Sequence, residues 1–334
     1  MSVEHSAPVH HLTSIPRRAA RSAIATLVGA AACAGRTPAP DATPAPVAAP
    51  AAERPVAATA GGATRFTWSA GERRVEVHTD ALVTRDASTL AGAPAAAPDA
   101  EHVISTAYLT AVLAPSDAPG ATSVQGTVDS LVVNASARVR GDAAAPNTTP
   151  STTPVATPAA TSTLLTGFRY RAASDARGVR VEPADPATDL HCTAPAAAAS
   201  LGAIAAVREA LPRIPAGLAA GVRWRDTTVS ASCAGPVLLV AQTVARYESA
   251  ADPAVPGRLR VTRQSTTTAR GQGAAGVRPM SVVATGTARG VYALDPARGQ
   301  LVDGTGEGRT TVTVTLGGVV QRFTQQTRTQ LVVR

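Results

Sequence analysis

The chain has no lysine: all 31 of its Lys+Arg residues are arginine. It is also short of aromatic rings, with Phe, Trp and Tyr together at 3% of 334 residues. Any core must therefore rest on Val, Leu, Ile and Ala, which bury less apolar area per residue than rings do. Missing lysine beside heavy use of Ala, Gly, Pro and Arg reads as a GC-rich coding bias. The formal net charge of +8 is thus weak evidence for a nucleic-acid partner. Arg73, Arg138, Arg169, Arg223, Arg246, Arg260 and Arg322 are scattered along the chain, whereas a nucleic-acid binder gathers its bases into a patch with aromatic stacking partners. No nucleic-acid partner is expected. Mild attraction to anionic headgroups or polymers is the most that the charge implies.

Motifs of catalysis are equally scarce. Gly271-Gln-Gly273-Ala-Ala-Gly276 matches Gly-x-Gly-x-x-Gly, but the following Arg278 to Thr285 reads as a strand. A dinucleotide site needs a helix N-terminus there, so the segment is read as a hairpin loop. Gly304-Thr-Gly306-Glu-Gly308 is read as a flexible turn before the last hairpin, with no Lys-Ser/Thr after it to make a phosphate loop. His78 and Asp80 stand two apart on an expected strand, so they share a face and form a base–orienter pair or a plain polar pair. No Gly-x-Ser-x-Gly elbow accompanies them. Asp189 with His191 is read the same way. Asp295, Asp303 and Glu307 lie near expected turns, as a carboxylate pair, loose calcium ligands or simple turn residues. No catalytic residue, cofactor or metal is assigned.

What is present begins at the N-terminus. Arg17, Arg18 and Arg21 precede an uncharged, mostly apolar run, Ser22 to Ala32, and Cys33-Ala34-Gly35 follows at once. A basic region, a short apolar stretch and small residues form a secretory-signal pattern; the run is far below the roughly 20 apolar residues needed to span a bilayer. With Ala30-Ala31-Ala32 before Cys33, the segment resembles a bacterial lipoprotein signal, although Ala30 stands where that family prefers Leu. The resemblance implies removal of residues 1–32, lipidation of Cys33 and a membrane partner through the lipid; Ala34, in place of Asp, implies the outer membrane. Ordinary cleavage at an Ala-x-Ala site would instead leave a soluble periplasmic or secreted protein. Residues 33–63, rich in Pro, Ala and Thr without apolar periodicity, fit a disordered tether.

If Cys33 carries lipid, Cys192 and Cys233 remain as a pair in an oxidising compartment, which implies a disulfide. It would close a loop of roughly 40 residues, worth on the order of 4 kcal/mol in the chain-entropy model. A metal site built on His191, Cys192 and Cys233 is the alternative, without any Cys-x-x-Cys spacing.

From residue 64 to 334 alternating β-branched and polar residues read as strands, at 65–68, 73–83, 102–113, 123–140, 164–170, 179–181, 222–232, 236–247, 258–270 and 280–294. A closing hairpin, 309–316 and 319–333, turns on Gly317-Gly318, a strong two-residue turn signal. Residues 141–163 form a low-complexity insertion, and 64–140 with 164–334 make one domain or two. One helix, about 194–211, is expected with Thr193 as its cap and Pro212 as its stop; Leu201, Ile204, Val207 and Leu211 share its packing face. The expected fold is mainly β: an antiparallel curved sheet or half-open barrel with one packed helix, or alternatively a β-sandwich. In outline this resembles periplasmic half-barrels that carry or bind lipoproteins and lipids.

Trp224, where a two-proline segment enters a strand, is either a core anchor or the lining of an apolar ligand mouth. The expected function is a non-enzymatic, lipid-anchored envelope protein that binds an apolar ligand or a protein partner. A structural envelope assembly protein and a hydrolase with an unrecognised site are the alternatives.

Overall fold

The computed structural model describes residues 65–86, 98–115, 122–139, 160–175, 178–194 and 196–334. The segment 1–32, Cys33 and the 33–63 stretch lie outside them. Eleven strands form one antiparallel sheet: β1 (Gly71–Arg85), β2 (Pro98–Pro115), β3 (Thr122–Val139), β4 (Ala160–Asp175), β5 (Gly178–Pro183), β6 (Arg223–Ala234), β7 (Val237–Ala251), β8 (Leu259–Ala275), β9 (Arg278–Asp295), β10 (Gln300–Leu316) and β11 (Val319–Val333). The spatial order is β5-β4-β3-β2-β1-β11-β10-β9-β8-β7-β6. The sheet curls into a half-barrel, and its continuity sets the sandwich alternative aside.

The order follows from the connections. Neighbouring strands in sequence are neighbours in space, as short turns require. The chain steps outward from β1 to β5, crosses through a single helix, α1 (Ala197–Ala210), to the opposite edge at β6, and steps back to β11. There the last strand pairs with the first, from Val75↔Val333 to Arg85↔Phe323. Leu316↔Val319 closes the last hairpin on Gly317 and Gly318, both at positive φ (56° and 86°), as the Gly-Gly signal requires.

Each strand divides its residues between two faces. In β7, Val237, Leu239, Ala241, Ala245 and Tyr247 are buried, while Leu238, Val240, Gln242, Arg246 and Glu248 are exposed. Helix α1 lies on the buried side. Its Leu201, Ile204, Val207 and Leu211 join Val75, Leu109, Val128, Phe168, Val261 and Leu294 in the main core. Most of the rest of the helix is alanine, and a Cβ added at Gly202 would make an ordinary contact with Leu131, at 3.5 Å. A second cluster on the same face, at the far end of the strands, joins Val83, Leu239, Met280, Val282, Val312 and Phe323.

Several expected boundaries move. β4 starts at Ala160, because Ala160–Thr163 continue its pairing with β3, so the insertion is shorter than 141–163; residues 141–159 lie outside the described set. Arg65–Trp68 make a single bridge, Phe66 to Leu218, and not a strand. Thr193 does not cap the helix. The chain first makes a turn in which the Ala194 amide donates to the His191 carbonyl at 2.8 Å, so Thr193 comes too early to reach the helix amides, and Ala196 stands at the N-cap without a side-chain bond. Gly304, Gly306 and Gly308 are no turn at all: they lie inside β10 on the core side, alternating with Thr305, Glu307 and Arg309. Gly304 faces Tyr292 on β9, whose ring lies where a Cβ would be, 2.8 Å from it. Glycine here lets an aromatic lie flat across the neighbouring strand. Gly271 and Gly273 also belong to a strand, β8, and only Gly276 forms the turn.

The edges at β5 and β6 would form an open seam. Helix α1 touches both, and the Cys192–Cys233 disulfide fastens the segment after β5 to β6, with Cα atoms 5.4 Å apart. The expected disulfide is therefore formed. It spans 41 residues, for which the chain-entropy model gives about 4 kcal/mol. Under denaturant, the Cys192→Ser/Cys233→Ser chain should lose stability of that order, with hydrogen exchange rising in β6 more than in β10. Equal stability, or uniform exchange, would contradict the disulfide's role as the clasp of the seam.

The other end of α1 is held by Glu209, which accepts hydrogen bonds from Tyr292 at 2.9 Å and Arg263 at 3.1 Å; Arg263 also donates to the Tyr292 hydroxyl. Burial first, and Glu209 second, push the Tyr292 hydroxyl pKa well above its ordinary value. Tyr170, buried against Thr110 and near Asp129, is raised likewise. A raised folded pKa means that the unfolded chain loses these protons first, near pH 10. The stabilisation is then complete below about pH 10 and is lost as pH rises through the folded values. Melting temperature should fall steeply on the alkaline side. Tyr292→Phe should flatten part of that fall and cost roughly 1 kcal/mol at neutral pH; an unchanged alkaline slope would refute the assignment.

Candidate functional site: an arginine-lined trough

The face turned away from α1 carries the polar halves of the strands, and register decides which of them meet. Reading across the sheet, Arg225 on β6 lies opposite Arg246 on β7, Arg246 opposite Gln264 on β8, and Gln264 opposite Arg289 on β9. The row continues through Glu307 on β10, Arg328 on β11 and Asp80 on β1. A parallel row beside it runs Val244, Thr266, Thr287, Arg309, Gln326, Leu82 and His102. Together they line a trough of about 1170 Å³.

Five arginines face two carboxylates in this trough. Both acids are engaged: Glu307 binds Arg289, and Asp80 binds His102 Nε2 at 2.6 Å. Arg225, Arg246, Arg309 and Arg328 are exposed and carry no salt bridge among the described residues. Arg225 and Arg246 stand directly opposite one another, an arrangement of like charges that destabilises a sheet. The trough is therefore a concave surface with surplus positive charge and uncharged donors and acceptors between the cations.

Sequence-level candidates fall elsewhere or re-pair. His78 and Asp80 do not bond to each other: His78 Nδ1 lies 3.1 Å from Thr106 Oγ1, while Asp80 reaches across to His102. His102 lies diagonal to Asp80, its direct cross-strand partner being Leu82, and its ring reaches the Asp80 carboxylate across the strand pair. Asp80–His102 is thus a carboxylate–imidazole pair inside the trough, and no hydroxyl or thiol bonds His102 among the described residues. Asp189 bonds His191 at 2.7 Å on the surface; first the His191 backbone amide and then its side chain hold this carboxyl below the ordinary range. With Cys192 and Cys233 bonded to each other, a metal site there is excluded, and no metal-holding group of three ligands occurs among the described residues. Asp295 pairs with Arg298 in the β9–β10 turn, whereas Asp303 and Glu307 sit within β10.

Trp224 packs on the helix side. It stacks on Tyr247 with centroids 4.9 Å apart and planes 5° apart, and its Nε1 donates to the Arg213 carbonyl at 3.2 Å. Arg213 in turn pairs with the buried Asp226 at 3.1 Å. Trp224 does not line the trough.

The arginine row is what sequence reading missed. A usable signal exists: Arg225 and Arg246, then Arg289, Arg309 and Arg328, recur about every 20 residues, the length of one strand plus its turn. Such a period returns one side chain to the same height on strand after strand.

No family model matches the chain, and no curated protein does. Among solved structures, a chain described under asymmetric conductivity of engineered proteins is similar over 78% of this chain and 99% of its own, at 10% identity and a TM-score of 0.22. The Pseudomonas aeruginosa OccK7 (OpdD) structure is similar over 79% of this chain and 98% of its own, at 5% identity and a TM-score of 0.17.

Proposed function

We propose that this protein is an exported, non-enzymatic binding module of a bacterial envelope, tethered by lipid on Cys33, with the arginine trough as its recognition surface. The trough is the observation that carries the reading: a large concave surface with four unpaired cations among the described residues. The basic and apolar pattern ahead of Cys33, the Pro/Ala-rich 33–63 segment and the Cys192–Cys233 disulfide support export and tethering.

Trp224 is stacked on Tyr247 and donates to the Arg213 carbonyl, which disfavours an apolar ligand there. A membrane-spanning role for the strands is disfavoured as well. A transmembrane barrel shows lipid an apolar band about 25 Å tall, and here the face turned away from α1 carries Arg225, Arg246, Arg289, Arg309 and Arg328. Among the described residues no helix is long and apolar enough to cross a membrane.

Expressed in a Gram-negative host, the wild-type chain should gain a lipid-sized mass and partition into Triton X-114, and Cys33→Ser should lose both. An unmodified, aqueous wild-type protein would make it a soluble periplasmic or secreted module. The Cys33→Ser chain should still co-sediment with isolated envelope fragments, and glutamine at Arg225, Arg246, Arg309 and Arg328 together should abolish this. Retention after that change would remove the trough from the function.

A further inference from the structure

We infer that the trough binds a linear acidic polysaccharide, one whose repeat carries carboxylate, sulfate or phosphate groups; this rests on the trough being the recognition surface. The arrangement of the cations comes first. A small anion is held by donors converging on one point, but these arginines are drawn out in a line. Arg225, Arg246, Arg289 and Arg328 occupy one register row from β6 to β11. With strands about 4.8 Å apart, that row extends about 24 Å. Arg246, Arg289 and Arg328 recur at every second strand, about 10 Å apart, so the row matches anions repeated along an extended chain.

What lies between the cations narrows the polymer. Gln264, Thr266, Thr287 and Gln326 offer amides and hydroxyls, which suit the hydroxyls of sugars. No aromatic residue lines the trough, so the bases of a single-stranded nucleic acid would find no stacking platform. An acidic peptide strand takes its affinity from backbone pairing at a sheet edge, and the trough is a sheet face. A flat bilayer surface does not follow a concave floor, whereas a flexible polymer does.

Charge bookkeeping within the trough agrees. Asp80 and Glu307 are held by His102 and Arg289 and leave the other four cations uncompensated. The opposed Arg225 and Arg246 repel each other in the free protein, and an anion lying over both relieves that repulsion.

The test uses the full chain with Cys33→Ser, titrated with polygalacturonate and with heparin; dextran, oligo-dT, polyglutamate and phosphatidylglycerol vesicles are run beside them. Two double variants remove equal charge: Arg246→Gln/Arg328→Gln in the trough, and Arg260→Gln/Arg322→Gln, exposed on the same face outside it. Both acidic polysaccharides should bind, weaken with salt, and lose at least about tenfold in affinity in the trough variant. The control pair should lose less than about twofold. Arg246→Gln alone should melt no lower than the parent, because it removes the like-charge pair; this separates lost binding from lost fold. Equal losses in the two double variants would overturn the inference, because binding would then follow net charge. Trough-dependent binding of oligo-dT, polyglutamate or vesicles, without the polysaccharides, would overturn the glycan but leave the recognition surface standing. If no probe depends on the trough, both readings fall.

Discussion

The pairing of β1 with β11 is the contact on which the rest depends. It joins the first strand to the last, Asp80 opposite Arg328 and Leu82 opposite Gln326. Without it the chain would be two meanders, β1–β5 and β6–β11, linked by a helix. The trough straddles this junction: Asp80, Leu82 and His102 come from one meander, and all five arginines from the other. Contacts this distant in sequence form late and slowly. The trough therefore exists only in the completed fold, and the disulfide and α1 at the opposite seam hold the two meanders together from their outer edges.

One stretch of β10 shows how a single sequence serves both faces. Gly304, Gly306 and Gly308 turn toward the core, and Thr305, Glu307 and Arg309 away from it. The glycines leave room for the Tyr292 ring at Gly304, and that same tyrosine holds Glu209 of the helix. The residues between them place a carboxylate and an arginine in the trough. Core packing on one side and charge on the other are thus set by the same period of two.

Local features were legible in the sequence because local chemistry determines them. Gly317-Gly318 had to be a tight hairpin turn, the apolar face of α1 followed from its 3.6-residue spacing, and Cys192 with Cys233 followed from counting. What failed was non-local. Proximity in sequence suggests His78–Asp80, but strand pairing sets His102 diagonal to Asp80, where its ring takes the carboxylate. Gly304–Gly308 was judged by composition, and a glycine-rich strand covered by a neighbouring ring has the same composition as a turn. The arginines looked scattered because only strand register brings them into one row, and register depends on turn lengths summed over six strands.

Composition also bears on the character of the two faces. With 3% aromatics, the core takes most of its residues from Val, Leu and Ala, and the three phenylalanines with Tyr170, Tyr247 and Tyr292 lie among them. The helix that packs on it is alanine-rich. On the helix side Trp224 and Tyr247, two of the few large rings, are stacked on each other. The polar face, by contrast, carries the trough. On that face, in a protein without lysine, the cations are necessarily arginines, whose planar guanidinium groups bind carboxylate and phosphate groups through paired hydrogen bonds.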